Sequence, residues 1–574
     1  MSIEINTREW IPGKQYPLWM DSIGLSIVSK GYLLPDEDVF KAYRRVSKAA
    51  ARRLKKKELQ PLFYEAMIKN WLCCASPVLS NMGTERGMPI SCFGIDVGDS
   101  IEGIADANSE LMRLSSQGGG VGIGLSRIRG RGKNIKDNGV SEGVVPWAKI
   151  YDSTILATNQ GSVRRGAASV NLDINHPDIR EFLGIRRPKG DVNRQCLNLH
   201  QCVVVDDEFM EKVENKNPTA LKLWGEILKT RLETGEPYIM FKDNVNNANP
   251  EAYKKNNLQV TMTNICTEIT LFTDELHSFI CCLSSLNLAR WDEWKDYKFE
   301  NGMSLPELTC WFLEGVLQEF IDRAKNIKFF ENTVRSATKG RAIGIGILGW
   351  HTYLQSKGIP FIGIQASSQT RIISKFIQEE ALKASRDQAK EYGEPEWCVG
   401  TGLRHSHHTA VAPTVSNAHI SAGASPSGEP IPANIYNLKT AKGVFIKKNK
   451  ILENLLIEKG YNVESVWDQI FKDQGSVLGL PDYILNDEEK EVFLTFKEIN
   501  QLELIKQNAI RQEYVDQTIS LNLSFDPNDT PQWISQVHKE AHKLGIKCLY
   551  YLRTNSVLRG DNLTRLSECV SCES

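Results

Sequence analysis

Residues 263–269 set an amide, a thiol and a carboxylate at alternate positions: Asn264, Cys266 and Glu268. In an extended chain alternate side chains share a face. The three are therefore expected side by side, spanning about 13 Å at roughly 3.3 Å per residue, while Ile265, Thr267 and Ile269 point the other way into a core. A thiol flanked by a base and an amide is a reaction centre in outline. A plain strand with one buried cysteine fits the same seven residues, because free cysteine is among the most buried residue types. The rest of the chain decides between the two.

Other chemistry-bearing residues recur along the chain. Ser91-Cys92 leads a strand-like run that ends at Asp99 and Ser100, either of which suits a helix N-cap. Residues 118–124 hold five glycines in seven positions, which allows a close backbone approach; a flexible turn is the alternative. No Gly-Lys-Ser/Thr follows, so this is not a Walker loop. Arg127, Arg129 and Arg131 alternate through a glycine-spaced basic loop, and Gln160, Arg164 and Arg165 occupy a second one. Arginine forks on such loops suit phosphate and base recognition. Cys281-Cys282 heads a run of small and apolar residues, and Tyr550-Tyr551 lies in a buried strand pattern over 547–554. Residues 412–417, which include Thr414, Val415, Ser416 and Asn417, form a hydroxyl-rich turn able to hold an anion. His405, His407 and His408 lack partner spacing for a metal and read as a surface cluster. Cys569-x-x-Cys572 is too near the terminus for a thioredoxin domain and has no second ligand pair for zinc, so it reads as a mobile redox tail.

These residues need a large scaffold. The chain has 574 residues, with 41% hydrophobic and 24% charged residues, as soluble globular enzymes do. A single large α/β barrel with added helices accommodates that length. Net charge is −1, from 69 basic and 70 acidic residues, which argues against a nucleic-acid or membrane partner. No run of about 18 apolar residues occurs, and Met1 to Trp10 carries no apolar signal core. Thirteen scattered cysteines suit a reducing cytoplasm rather than a disulfide scaffold. Residues 1–75 read as helical, with helical periodicity clear over 39–59, and residues 305–358 are helix-rich. Gly344-x-Gly346-x-x-Gly349 reads as a tight passage from strand to helix; as a dinucleotide fingerprint it is a weak lone match.

Taken together, Asn264-x-Cys266-x-Glu268, Ser91-Cys92, Cys281-Cys282-Leu283-Ser284-Ser285-Leu286-Asn287-Leu288, residues 514–522, Tyr550-Tyr551 and Cys569-x-x-Cys572 resemble, in their order, the large catalytic subunit of a class I ribonucleotide reductase. The resemblance covers about residues 60–574. It implies an α/β fold: a ten-stranded α/β barrel of two five-stranded parallel halves with a central finger loop, preceded by a helical N-terminal region. The organisation implied is a helical region at 1–75, a catalytic barrel at 76–555 and a redox-active tail at 556–574.

The resemblance also implies roles. Cys266 would carry a thiyl radical, Glu268 would act as the base at the 3′-hydroxyl, and Asn264 would bind the substrate. Cys92 and Cys281 would supply the reducing equivalents and end as a disulfide, which Cys569 and Cys572 would reduce in turn. Tyr550 and Tyr551 would pass the radical from a separate metal-containing small subunit, Tyr551 lying nearer the partner. Adjacent strand residues face opposite ways, so stacking those two rings requires the backbone to leave regular strand geometry. Ser76, Ser91, Gly120 and the turn Thr414, Val415, Ser416, Asn417 would hold the substrate; the spacing onward to Glu429-Pro430 is one residue longer than usual. Asp99, Ile101, Arg129, Lys136, Gln160 and Arg164 would form the effector site for ATP and deoxynucleotides. Lys136 stands where arginine is common, giving a point charge in place of a bidentate fork. The chain itself would bind no metal or cofactor. Its implied partners are the small subunit, thioredoxin or glutaredoxin, and a second copy of the chain. Only 75 residues precede Ser76, so the N-terminal nucleotide-binding cone of many relatives is expected to be missing. An adenosylcobalamin-dependent reductase would share the barrel but needs no tyrosine pair, and a non-catalytic regulatory subunit would not need the five redox cysteines.

Overall fold

The computed structural model describes residues 7–11, 14–158, 166–188, 190–440 and 443–554. Five strands, Cys92–Asp96, Gly120–Gly124, Ala167–Asp173, Leu199–Val205 and Tyr238–Phe241, are hydrogen-bonded in chain order and all run parallel. They are buried almost throughout, as strands covered on both faces must be. Helices Ile101–Ser116, Val144–Thr158 and Pro218–Thr234 lie in their crossovers. A second parallel set starts with Leu283–Asn287 beside Gly344–Leu348. It continues through the parallel bridges Ile345↔Thr409 and Val411↔Ile519 and ends with Leu523–Ser524 beside Leu552–Arg553. The two five-membered halves expected from the sequence are both present, one built of regular strands and the other largely of short bridged segments.

The halves meet at two seams. At one, Phe279–Ile280 pairs antiparallel with Cys92–Asp96, and the same chain runs directly on into Leu283–Asn287 of the other half. At the other, Cys548–Leu549 pairs antiparallel with Tyr238–Phe241 before the chain enters Leu552–Arg553. Cys281 and the pair Tyr550-Tyr551 sit in these transitions, where the backbone changes partners. The stacking condition on the tyrosines is met in this way: both residues lie between two short strands rather than within one.

The N-terminal region is helical from Ser22–Gly31 onward, with Val39–Leu54 and Leu59–Ile68 following. It is not helical before that: Thr7–Ile11 and Lys14–Pro17 form an antiparallel hairpin, where a helix was expected. Val39–Leu54 starts at an Asp38 N-cap and packs on Leu305–Ala324 of the barrel. Gly315 makes the close approach possible, since a Cβ there would stand 2.8 Å from the Ala50 carbonyl oxygen. Among the described residues no helix is long and apolar enough to cross a membrane.

The histidine cluster is not on the surface. His405, His407 and His408 are at most 2% exposed. The Asp516 carboxylate accepts the His408 and Thr409 backbone N–H groups at 2.7 and 2.9 Å, and the His405 ring bonds the Arg341 carbonyl and Gln388. These partners lie far off in sequence, and they turn a polar stretch into an interior brace beside the bridged segments of the second half.

Candidate active site

The finger loop lies between the two halves of the barrel. On one side the Asn171 amide exchanges hydrogen bonds with the Thr263 backbone. Gly122 is essential to that contact: a Cβ there would fall 2.4 Å from the Thr263 carbonyl oxygen and 3.0 Å from Asn264 Cα. Gly120 is similar, its Cβ position lying 2.9 Å from Ile265 Cγ2 and 3.4 Å from Cys92 Sγ. From Gly120 to Gly124 the glycine-rich run is therefore a buried strand, and Gly118, φ 81°, lies in the turn that leads into it. Val121 and Ile123 alternate with its glycines in the core, and its glycines let the loop lie against the sheet. On the other side the Thr518 N–H donates to the Glu268 carbonyl at 3.1 Å, and the Ser520 hydroxyl donates to the Cys266 carbonyl.

The loop tip is folded back, not extended as the alternating pattern suggested. The Asn264 N–H donates to the Ile269 carbonyl at 3.3 Å, and the Ile269 N–H donates to Asn264 Oδ1 at 3.0 Å. Thr267 takes a left-handed conformation, φ 65°, which is unusual for a β-branched residue. This closure draws the groups closer than a strand would: the reactive atoms of Cys92, Cys266 and Glu268 lie within 4.8 Å of one another. Cys266 is 3% exposed and Glu268 2%. Burial, with the Cys92 sulfur adding to it, pushes the Glu268 carboxyl up to about 8. Asn264 is near enough to favour the carboxylate, yet its Nδ2 meets hydrogen-bond geometry with no protein acceptor.

Cys281 completes the cluster. Its N–H donates to the Cys92 carbonyl at 2.8 Å, its thiol is hydrogen-bonded with that of Cys92, and it also faces Glu268 Oε1 at 3.7 Å. Both cysteines are free thiols. Burial first, then the Cys92 contact, raises the Cys281 thiol well above its ordinary value. Ser91 belongs to the same knot, its N–H directed at the Cys281 carbonyl and its carbonyl accepting from Gly120. Ser76 starts the helix Ser76–Asn81 and accepts from the Tyr32 hydroxyl at 3.0 Å. The expected turn at residues 414–417 is a left-handed Thr414 (φ 52°) heading a short helix, Val415–Ile420. Thr414 Oγ1 accepts the Ser427 N–H, and Asn417 donates to the Cys74 carbonyl, which brings this turn beside Ser76.

At a separate place Arg129 grips Asp99 through Nε, 2.9 Å from Oδ2, and through its backbone N–H. Ile101 next to it is 66% exposed. Lys136 stands exposed at the turn of a hairpin closed by the Asn134↔Val140 bridge. Gln160 and Arg164, like Cys569 and Cys572, lie outside the described residues.

The Tyr550 and Tyr551 rings pack 4.3 Å apart at 54°. Tyr238, not singled out from the sequence, touches both, at 4.7 and 5.0 Å. Tyr550 is 2% exposed, and its carbonyl accepts from Arg231 at 3.0 Å. Asn522 Oδ1 accepts the Tyr551 N–H, and buried Glu429 anchors Asn522 in turn. Thr518, Ser520 and Asn522 sit in the 514–522 stretch that carries part of the family resemblance. Their individual roles required the fold.

An α/β barrel with a cysteine-tipped finger loop against a buried dithiol defines a class of radical reductases, and the comparisons agree. The family model "Ribonucleotide reductase, barrel domain" matches residues 90–221, 215–400 and 395–552, and "Ribonucleotide reductase, all-alpha domain" matches 19–87. The ribonucleoside-diphosphate reductase large subunit of Invertebrate iridescent virus 3 is 33% identical, covering 96% of this chain and 98% of the relative. A Frog virus 3 (isolate Goorha) protein provisionally given the same name is 38% identical over 90% of this chain and 93% of its own. The solved Actinobacillus ureae class Id ribonucleotide reductase alpha subunit superposes with a TM-score of 0.86 at 37% identity, covering 96% of this chain and 99% of that one. The chain belongs to the ribonucleotide reductase large-subunit family, and ribonucleotide reduction is its activity.

Proposed function

We propose that this chain reduces ribonucleoside diphosphates to 2′-deoxyribonucleotides at the cluster of Cys92, Cys266, Glu268 and Cys281. The observation that carries the assignment of residues is the convergence of the Cys92, Cys266 and Glu268 reactive atoms within 4.8 Å, with Cys281 bonded to Cys92. Cys266, as a thiyl radical, takes hydrogen from the 3′ carbon. Glu268 accepts the 3′-hydroxyl proton within hydrogen-bond reach, and the Asn264 amide donates to the sugar. The 2′-hydroxyl leaves as water, and Cys92 and Cys281 give up two electrons and two protons to become a disulfide. Cys266 then returns hydrogen to the 3′ carbon. Ser76, Ser91, Gly120 and residues 414–417 hold the sugar and phosphates.

A metal-containing small subunit supplies the radical. Tyr551, Tyr550 and Cys266 conduct it, a reading supported by the packed tyrosine rings at the barrel seam. Cys569 and Cys572 renew the inner dithiol by thiol exchange and are recharged by thioredoxin or glutaredoxin. Asp99, Ile101, Arg129, Lys136, Gln160 and Arg164 bind the effector nucleotide. The chain pairs with a second copy through the packed helices Ile101–Ser116 and Val144–Thr158, which leave Met112, Ile150 and Leu156 between 42% and 62% exposed. The test is Cys266→Ser, assayed with the radical-bearing small subunit. Turnover is expected to vanish while nucleotide binding persists; turnover at the wild-type rate removes Cys266 from the mechanism.

A further inference from the structure

Beneath the turn that carries Ser427 and Gly428 the structure buries a positive charge without a negative partner. Arg511, on helix Gln501–Gln512, is 1% exposed. A Cβ at Gly428 would stand 2.8 Å from its Nη1 and 2.9 Å from its Cζ, so the glycine backbone lies against the face of the guanidinium. Its Cζ also lies 5.2 Å from the centre of the Trp350 ring. Nη1 donates to the neutral Asn508 Oδ1 at 2.8 Å, and Nη2 has no hydrogen bond among the described residues. The carboxylates nearest to these residues in sequence are engaged elsewhere: Glu429 with the Asn522 N–H and amide, Glu513 with Arg371, and Asp516 with the His408 and Thr409 N–H groups. Burial alone pushes the guanidinium down, to about 10, so it stays charged at neutral pH. A buried charge with no counter-charge is unfavourable. The turn above it is tied to residues 414–417, since the Ser427 N–H donates to Thr414 Oγ1 at 2.7 Å. Ser427 is left-handed, φ 52°, and its buried hydroxyl is also without a hydrogen bond among the described residues.

We propose that Arg511 is the counter-charge of the substrate's phosphates: it supports the 427–428 turn and sets a fixed positive field under the anion held at residues 414–417. This rests on the reading of that segment as the phosphate seat. Gly428 covers the guanidinium, so Arg511 does not touch the substrate. It is a positioning residue that acts through the turn and through its charge. Solvent would screen such a charge at the surface; in the interior it is felt across the intervening turn. The arriving anion becomes the partner that the folded chain does not supply, and binding offsets part of the penalty of burying the cation. The gain therefore grows with the charge of the ligand. It is largest for a diphosphate, smaller for a monophosphate and absent for a nucleoside. Arginine suits the place better than lysine, because its planar group accepts the Gly428 backbone against its face and its charge is weakly hydrated.

The test uses the full chain assembled with its radical-bearing small subunit. Inorganic pyrophosphate and the parent nucleoside serve as inhibitors against the ribonucleoside diphosphate. Ser416→Asp is assayed first, since it places a negative charge in the 414–417 segment. It is expected to raise the diphosphate KM roughly tenfold or more; an unchanged KM would remove that segment as the phosphate seat and this proposal with it. Given that rise, Arg511→Met is expected to raise the diphosphate KM and the pyrophosphate inhibition constant roughly tenfold or more, and to leave the nucleoside inhibition constant within about twofold. The rise in KM should exceed any fall in kcat. Arg511→Lys keeps the charge and is expected to recover most of the pyrophosphate affinity. Wild-type pyrophosphate affinity in Arg511→Met overturns the proposal. So does a loss shared equally by pyrophosphate and nucleoside, or a folded Arg511→Lys that binds pyrophosphate no better than Arg511→Met; either outcome leaves Arg511 a packing residue. If Arg511→Met fails to fold, Arg511→Gln replaces it beside Arg511→Lys, and equal pyrophosphate affinity in those two overturns the proposal equally.

Discussion

Burial lifts the Glu268 carboxyl to about 8, so near neutral pH the residue is largely protonated, whereas a general base must be ionised. For this chain kcat/KM is expected to rise with pH through about 8, and Glu268→Gln to lower it by roughly 10²–10⁴-fold and flatten the profile. The same shift has a signed effect on stability. The folded state holds this proton more tightly than the unfolded state, whose carboxyl titrates near 4.5. The stability associated with it is therefore full below that value, declines as pH rises from about 4.5 to about 8, and then levels. Glu268→Gln should gain stability relative to the parent across that window, as read by denaturation midpoints at about pH 5 and about pH 9. A constant difference between the two midpoints would contradict the buried-acid account. At this scale the sequence was informative about the proposed reaction centre, because Asn264, Cys266 and Glu268 are close in the chain. It was silent about Ser520 and Thr518, which hold the loop, because nothing local marks a serine as the partner of a carbonyl some 250 positions away.

The finger loop is a more instructive element than a regular strand. An alternating pattern implies extension only if the backbone bonds go to a neighbouring strand. Here Asn264 closes on Ile269 within the loop, and its side-chain oxygen makes one of those bonds. Asn264 therefore serves the loop through Oδ1 and leaves its amide NH2 for the substrate role proposed above, a division that the residue type permits but the spacing does not reveal. The glycine run was ambiguous for a related reason: the argument for Gly122 is the carbonyl facing it, which comes from Thr263. Gly122→Ala should force the loop off the sheet, with a loss of stability of about 1–3 kcal/mol and a drop in kcat larger than any change in nucleotide affinity. Denaturant unfolding and steady-state kinetics on the one variant check both, and a wild-type kcat would mean that the loop does not rest on that glycine. The tyrosine pair was legible together with its condition, since two adjacent rings can meet only where strand geometry lapses. Both seams have such a lapse, and at each of them two like side chains are brought together: Cys281 with Cys92, and Tyr551 with Tyr550.

At the scale of the molecule, parallel order and the two halves followed from the family resemblance. The hairpin at the N-terminus and the interior place of the histidines did not, since both depend on pairing between distant segments. The apolar side chains left on helices Ile101–Ser116 and Val144–Thr158 call for cover. Met112→Glu with Leu156→Glu is expected to shift sedimentation toward the monomer, and unaltered association would place the dimer contact elsewhere. The proposed exchange between the inner and terminal cysteines would link residues from opposite ends of the sequence. Cys569→Ser with Cys572→Ser should keep one round of chemistry, lose thioredoxin-driven cycling, and recover part of it with dithiothreitol, since thiol exchange depends on access. Unchanged thioredoxin-driven turnover would rule that shuttle out. The most direct measurement of the central claim is a single turnover without reductant: the chain, its radical-bearing small subunit and a ribonucleoside diphosphate are mixed, product is counted, and thiols are mapped. The expected result is a burst of deoxynucleotide matched by a Cys92–Cys281 disulfide, with neither formed in Cys266→Ser. A full burst in Cys266→Ser, or a burst in the parent that leaves Cys92 and Cys281 as free thiols, would contradict it.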